Sequence, residues 1–119
     1  MIFGVDPTYA STGYGYIKSE NRLIYNEYIP SKVDHFTEKP DKKTAELFLK
    51  DKKYSWNSGM FFFKATTILD EINRFSTQIV DNCRRCLEIS KKDLDFIRLE
   101  KKSFMKCNNV SIDISVFEK

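Results

Sequence analysis

Short apolar runs in the first half of the chain predict β-strands. Residues 2–5 indicate a buried strand that ends at Asp6-Pro7, and residues 14–18 indicate a second one. Residues 23–29 and 33–38 show weaker extended patterns. Residues 60–63 are four consecutive apolar residues, which is typical of a strand buried on both faces in a mostly parallel sheet.

Helical spacing dominates the rest of the chain. Apolar residues recur every three or four positions between Ile68 and Leu87, and Asp41 is a candidate N-cap for a helix over residues 44–49. Residues 93–104 suggest another helix, residues 54–59 a loop, and the alternating residues 110–118 a strand. Strands interleaved with helices predict one α/β domain with a mixed, mostly parallel sheet and flanking helices.

Composition and charge narrow the class of protein. The 119 residues include 20 basic and 17 acidic side chains, with no concentrated basic stretch, so nucleic acid is not an expected partner. No apolar run approaches the roughly 20 residues that span a bilayer, and no signal-peptide pattern is evident, so a membrane is not expected either. Three cysteines and no export signal predict a cytoplasmic location.

The cysteines and the single histidine are weak candidates for chemistry. Cys83 and Cys86 form a C-x-x-C pair late in the long predicted helix, where packing is favoured over a redox or zinc role. Cys107 and His35 would have to complete such a metal site. No nucleophile signature accompanies His35, so we interpret it as structural.

Five other positions carry residue types suited to a polar ligand. Gly15 inside a strand pattern indicates close approach of a ligand or another backbone, although Gly13-Tyr14-Gly15 is not a phosphate loop. Glu38 could accept hydrogen bonds from sugar hydroxyls, and Lys39 could meet a phosphate at the end of a strand. Asn57 offers an amide suited to a polyol, and Asp113 is either an exposed strand residue or a ligand for a hard cation.

The order of these motifs carries a resemblance. The chain shows Gly13-Tyr14-Gly15-Tyr16-Ile17, then Phe36-Thr37-Glu38-Lys39-Pro40-Asp41, then Trp56-Asn57-Ser58-Gly59-Met60-Phe61, then Ser111-Ile112-Asp113 with Val116-Phe117-Glu118-Lys119. In this order they resemble the mannose-1-phosphate guanylyltransferases, most closely the bacterial type related to the bifunctional enzymes with a mannose-6-phosphate isomerase domain. The motifs extend over residues 3–119.

The resemblance implies a Rossmann-like nucleotidyltransferase fold and a reaction. Mannose 1-phosphate would attack the α-phosphorus of GTP, giving GDP-mannose and pyrophosphate, so positioning and charge neutralisation would dominate catalysis. By the same resemblance Gly15, Glu38 and Asn57 would bind the sugar and Lys39 its phosphate. Asp113 would be one of two aspartates that hold Mg²⁺ and would begin a helix, against the strand pattern of residues 110–118.

Parts of the family pattern are missing from the sequence. The glycine-rich loop, the catalytic lysine region and the first metal-binding aspartate have no counterpart, so residues 1–119 are expected to be the sugar-phosphate-binding half of the domain. GTP would then bind only if the other half were supplied. Three hypotheses stay open: an inactive remnant, one part of a split enzyme with a complementing chain, and a non-catalytic sugar-phosphate-binding module. Unpaired apolar strands also predict self-association or poor solubility.

Overall fold

The computed structural model describes residues 1–24 and 29–119. These residues form two compact units, which we call the sheet unit (Met1–Phe62 with Glu118) and the helix unit (Phe63–Phe117 with Lys119). The strands are β1 (Ile2–Val5), β2 (Tyr16–Ser19), β3 (Val33–Thr37), β4 (Tyr54–Phe61), β5 (Lys91–Asp93) and β6 (Phe96–Arg98). The helices are α1 (Lys42–Lys50), α2 (Ala65–Glu88) and α3 (Lys101–Phe104), followed by a π-helical turn at Asp113–Phe117.

The sheet unit confirms the α/β class, but the predicted mostly parallel sheet is wrong. Within the described residues its sheet has the order β1-β4-β2-β3, and every neighbouring pair is antiparallel. The α1 crossover does join two strands of the same direction, β3 and β4, as strand–helix alternation predicts. They do not pair with each other because β2 lies between them and pairs antiparallel with both.

The centre of the sheet unit is β2, which is buried on both faces. On one face Tyr16 is 0% exposed and its ring lies 5.3 Å from that of Phe48 in α1, which stacks on Tyr54 of β4 at 4.0 Å. On the other face Ile17 pairs with Phe36 of β3 and Ser55 of β4. These non-local pairings fix the register at the start of β2, next to Gly15.

Helix α1 begins where the sequence predicts. Asp41 has an extended backbone, and its Oδ1 accepts a hydrogen bond from the Thr44 N–H at 2.7 Å, so it is the N-cap. Of the predicted strand over residues 23–29, residues 25–28 lie outside the described residues, and residues 23, 24 and 29 have no regular structure.

The predicted loop over residues 54–59 is wrong, because this segment is the first part of β4. Asn57, Ser58 and Gly59 favour turns, but Asn57 pairs with Gly4 of β1. Ser58 and Gly59 lie where the register between β1 and β4 shifts, and Gly59 takes a φ of +74° there. The apolar run that follows is not buried on both faces as predicted. Met60 and Phe63 are exposed, and Phe62 is 71% exposed.

The helix unit confirms the long predicted helix. Helix α2 spans Ala65–Glu88 with a break at Ser76, whose φ and ψ of −149° and 49° are not helical. Its inward residues Val80 and Cys86 are buried. No helix in the described ranges is long and apolar enough to cross a bilayer.

Two predictions in the helix unit are wrong. Residues 93–104 are not one helix, since β5 and β6 form a hairpin with Leu94 at a φ of +54° in its turn. The backbone of Glu100 is extended, and its carboxylate caps α3. The short helix therefore begins only at Lys101. Residues 110–118 are not a strand, because Asp113 begins the π-helical turn; the start of a helix at this aspartate, implied by the resemblance, is confirmed.

Candidate functional site

Three of the predicted site residues lie together at one end of the sheet. The backbone N–H of Asn57 in β4 donates to the carbonyl of Gly15, just before β2, at 2.7 Å. A methyl group built on Gly15 would lie 2.6 Å from Glu38 Oε2, 3.0 Å from Phe36 Cζ and 3.4 Å from Asn57 Cβ. Gly15 is therefore buried beside Glu38, Phe36 and Asn57, and a Cβ at this position would require the Glu38 side chain to move. We call Gly15, Glu38 and Asn57 the sugar cluster, after the ligand expected for them.

Glu38 and Lys39 occupy the turn where the chain leaves β3. The Glu38 side chain is 15% exposed, and its Oε1 lies 3.2 Å from the Nζ of Lys39, whose side chain is 62% exposed. Because the Lys39 ammonium is largely exposed, it can approach another anion from solvent, whereas the Glu38 carboxylate is mostly buried. The fourth predicted site residue is thus adjacent to the sugar cluster.

The backbone of this turn is constrained. Lys39 has a φ of +47°, in the left-handed region that non-glycine residues seldom adopt. The next residue, Pro40, is buried, and Asp41 caps α1. The hydrogen bond from the Thr44 backbone N–H lowers the pKa of Asp41, which keeps this cap ionised. A strained residue held between a strand and a capped helix is typical of functional sites.

Asn57 is held on the same face as Gly15. Its side-chain oxygen accepts a hydrogen bond from the Gly59 N–H at 3.0 Å, which orients the amide. Because Ile17 pairs with Ser55, strand alternation places Asn57 beside Gly15 and Trp56 on the opposite face. A continuous strand thus carries turn-type residues that sequence patterns place in a loop.

The loop before Gly15 is fixed by a reciprocal pair of hydrogen bonds that sequence reasoning missed. The buried Tyr16 hydroxyl accepts from the Ser11 N–H and donates to the Ser11 carbonyl, both at 3.0 Å. Ser11 Oγ in turn accepts from the Gly13 N–H at 3.2 Å. The alternation of Tyr14, Gly15 and Tyr16 is the sequence signal that could have placed both tyrosines on the face opposite the sugar cluster.

That opposite face carries an aromatic group. The Trp56 ring makes edge contacts with Tyr9 at 4.9 Å and Tyr14 at 5.1 Å. A hydrogen bond with the Tyr9 side chain raises the pKa of Tyr14. Trp56 Nε1 is buried and has no hydrogen-bond partner in the described part of the chain. These contacts hold the loop of residues 8–15 against β4, behind Gly15.

Asp113, the predicted metal ligand, lies half-buried at the start of the π-helical turn in the helix unit. No three His, Cys, Asp or Glu side chains are grouped as a metal site anywhere in residues 1–24 and 29–119. Asp113 is therefore not part of such a group within the described residues.

The weaker candidates have no site around them in the described residues. Cys86 is 1% exposed, and burial raises the pKa of its thiol, so it is a packing residue. The sulfurs of Cys83 and Cys107 lie 3.9 Å apart as free thiols. His35 is exposed on β3, opposite Lys18 of β2.

The chain is similar to several known proteins. Residues 1–102 match the nucleotidyl transferase family. Mannose-1-phosphate guanylyltransferase RfbM of Salmonella typhimurium is 46% identical over 118 residues, and the Alginate biosynthesis protein AlgA of Pseudomonas fluorescens is 44% identical over 119. The match covers 99% and 100% of this chain, respectively, but 24% of each relative. The chain thus spans about a quarter of the length of these relatives.

Two solved structures are also similar. A mannose-6-phosphate isomerase from Helicobacter pylori superposes with a TM-score of 0.83 at 34% identity, over 99% of this chain and 44% of that one. A mannose-1-phosphate geranyltransferase from Thermus thermophilus gives a TM-score of 0.77 at 28% identity, over 99% and 31%.

Proposed function

The chain belongs to the nucleotidyl transferase family, and we propose that it forms the sugar-phosphate-binding part of a mannose-1-phosphate guanylyltransferase. The reaction would transfer GMP from GTP to mannose 1-phosphate, giving GDP-mannose and pyrophosphate. The observation that carries the proposal is the convergence of Gly15, Glu38 and Asn57 on one face of the sheet, with Lys39 beside them.

The sugar cluster suits a polyhydroxylated ring. The absence of a side chain at Gly15 leaves room for the Glu38 carboxylate, which can accept hydrogen bonds from hydroxyl groups. The Asn57 amide provides both donor and acceptor chemistry. Because β2, β3 and β4 hold these groups, little reorganisation is required on binding.

Lys39 supplies the charge for the phosphate. Its ammonium is largely exposed and lies 3.2 Å from Glu38 Oε1, so a sugar phosphate can approach it from solvent. Lys39 would then hold the phosphate in place while the carboxylate of Glu38 turns to the hydroxyls. The strained backbone of Lys39 keeps the two adjacent side chains at this one site.

We propose that this chain supplies only some of the ligands of a Mg²⁺ ion. Asp113 would contribute one carboxylate to the ion, which would neutralise phosphate charge. Binding of mannose 1-phosphate is proposed to be independent of the metal.

GTP binding and turnover are proposed to require a nucleotide-binding segment, in the same polypeptide or in a complementing chain. Exposed Phe3, Met60 and Phe62 at the β1–β4 end of the sheet would suit such a partner, or a second copy. A sugar-phosphate-binding module without turnover is the second candidate, favoured by the sugar cluster, whose three residues all lie in the sheet unit. The three free cysteines fit a cytoplasmic location.

Titration of the 119-residue chain with mannose 1-phosphate, in the absence of nucleotide and metal, tests the proposal. Glu38→Ala should weaken binding on the order of tenfold or more, since hydrogen bonds to a charged group contribute ~1.5–3 kcal/mol. Asp34→Ala is the matched control, because Asp34 is a carboxylate on β3 that pairs with Lys18 at 2.8 Å instead. Equal affinity of the wild type and the Glu38 variant would contradict the proposed site.

Addition of GTP and Mg²⁺ separates the two candidate functions. A guanylyltransferase part should form GDP-mannose once a nucleotide-binding segment is supplied. A binding module should bind mannose 1-phosphate with the same affinity and form no product under any complementation.

A further inference from the structure

Glu118, to which the resemblance assigns no role, makes a hydrogen bond to the backbone of the candidate site. Its Oε1 accepts from the backbone N–H of Glu38 at 2.7 Å, across 80 positions of sequence. Glu118 groups with the sheet unit, whereas the residues on either side of it group with the helix unit. A carboxylate on a backbone N–H is a charge-assisted bond, stronger than the bonds of a neutral ladder.

This bond lies where the sheet no longer holds the turn. Thr37 is the last residue of β3 and pairs with Tyr16, so Glu38 is the first residue beyond the strand. The next residue, Lys39, has a φ of +47°. The Glu118 carboxylate therefore holds the backbone between the end of the ladder and the strained residue.

We propose that Glu118 is a positioning residue, which orders the Glu38–Lys39 turn so that both side chains are presented to a sugar phosphate. The identity of the ligand rests on the proposed function, but the ordering of the turn does not. Glu118 would act through the backbone of Glu38 and would not touch the ligand.

The charge of Glu118 and its hydrogen bond to Glu38 would affect the site in different ways. A second carboxylate close to the phosphate subsite would by charge alone oppose an anionic ligand. The positioning role requires only an acceptor at the right distance. Glu118→Gln keeps an oxygen at the same reach without the charge, whereas Glu118→Asp keeps the charge and shortens the reach by one methylene.

The experiment measures two quantities on the ¹⁵N-labelled 119-residue chain: hydrogen exchange of the Glu38 amide without ligand, and affinity for mannose 1-phosphate. Glu118→Ala and Glu118→Asp should each speed exchange of this amide on the order of tenfold and weaken binding about fivefold to tenfold. Glu118→Gln should stay within about twofold of the wild type in both. The Gln and Asp variants carry the test if the Ala variant does not fold.

Glu100→Ala is the matched control in the helix unit. Glu100 also accepts from backbone N–H groups, those of Lys102 at 2.8 Å and Ser103 at 2.6 Å. Its loss should leave the Glu38 amide and the affinity unchanged.

Each outcome decides a separate claim. Unchanged exchange of the Glu38 amide in Glu118→Ala would overturn the inference, and so would a Gln variant as impaired as the Asp variant. A wild-type chain that does not bind mannose 1-phosphate would overturn the proposed function, while the ligand-free exchange rates would still decide whether Glu118 orders the turn.

Discussion

The sheet unit and the helix unit are stabilised in different ways. In the sheet unit, strands far apart in sequence pair around β2, and Tyr16, Ile17 and Phe36 are buried. In the helix unit, the buried apolar residues are Val80, Cys86 and Val116, and its ion pairs include exposed i,i+3 pairs along α2. Four of the five predicted site residues lie in the first unit, because non-local pairing is what fixes side chains from different strands against one another.

The apolar surface that each unit leaves exposed sharpens the contrast. In the sheet unit it includes Phe3 of β1 and Met60 and Phe62 at the end of β4, among other positions. In the helix unit it includes the β5–β6 hairpin, where Leu94 is 85% exposed and Phe96 and Ile97 are exposed as well. Exposed patches of this kind mark interaction surfaces. Self-association of the isolated chain therefore stays a prediction, with a surface for it in each unit.

Core truncation should separate the two units most strongly. Tyr16→Ala removes a fully buried ring and its two hydrogen bonds to Ser11, so the sheet unit should lose ~3–5 kcal/mol of unfolding free energy. Val80→Ala in the helix unit should cost only about 1–2 kcal/mol.

Urea unfolding can follow both units. Trp56 is the single tryptophan and lies in the sheet unit, so its fluorescence follows that unit, while helical circular dichroism is dominated by α2. A Val80 variant that lowers the tryptophan midpoint as much as the Tyr16 variant would refute the contrast in packing.

A methyl group at Gly15 should have the next largest effect. Gly15→Ala forces the new Cβ to within 2.6 Å of Glu38 Oε2 and 3.0 Å of Phe36 Cζ, so Glu38 must move. The expected loss is about 1–3 kcal/mol of stability, together with a fall in affinity for mannose 1-phosphate on the order of tenfold.

Gly13→Ala is the control for this effect. Its Cβ would meet Ser11 Oγ at 3.8 Å, an ordinary contact. The two variants should therefore differ in stability and in affinity. Similar affinities in both would mean that the position of Glu38 is irrelevant to the ligand.

The predictions that hold depend on local signals. The strand at Ile2–Val5, which is mostly exposed and not buried as predicted, the cap at Asp41 and the long helix α2 each follow from residues that are neighbours in sequence. The direction of the strands was not predictable in this way, because the place of β2 between β3 and β4 is a non-local property.

The candidate site shows the same division. Gly15 was predictable as a close approach because a glycine interrupts a strand pattern, but its neighbours Glu38 and Asn57 come from two other strands. Asn57 has turn chemistry and lies in β4, where local preference and tertiary structure disagree, as they do at functional sites. Nothing local to Glu118 indicates that it reaches the backbone of Glu38.

Acid should protonate one helix-capping carboxylate in each unit. We expect the resulting loss of stability to be smaller than that of the core and Gly15 substitutions. Hydrogen bonds from the Thr44 N–H lower the pKa of Asp41 in the sheet unit, and those from Lys102 and Ser103 lower the pKa of Glu100 in the helix unit. A carboxyl group whose pKa is lower in the folded state stabilises it fully above its unfolded pKa, about 4, and loses that contribution as the pH falls through the folded value.

Thermal melts between pH 6 and about pH 2 should therefore show a fall in melting temperature below about pH 4 that has a component from each unit. Asp41→Asn keeps a capping oxygen that does not titrate, so it should reduce the acid loss reported by Trp56 and leave the helical signal unchanged. Glu100→Gln should do the converse. Because α1 has nine residues and α3 only four, the Asp41 component should be the larger of the two. If both substitutions change the same signal equally, the two units do not respond to acid separately, and the contrast drawn from their packing holds only near neutral pH.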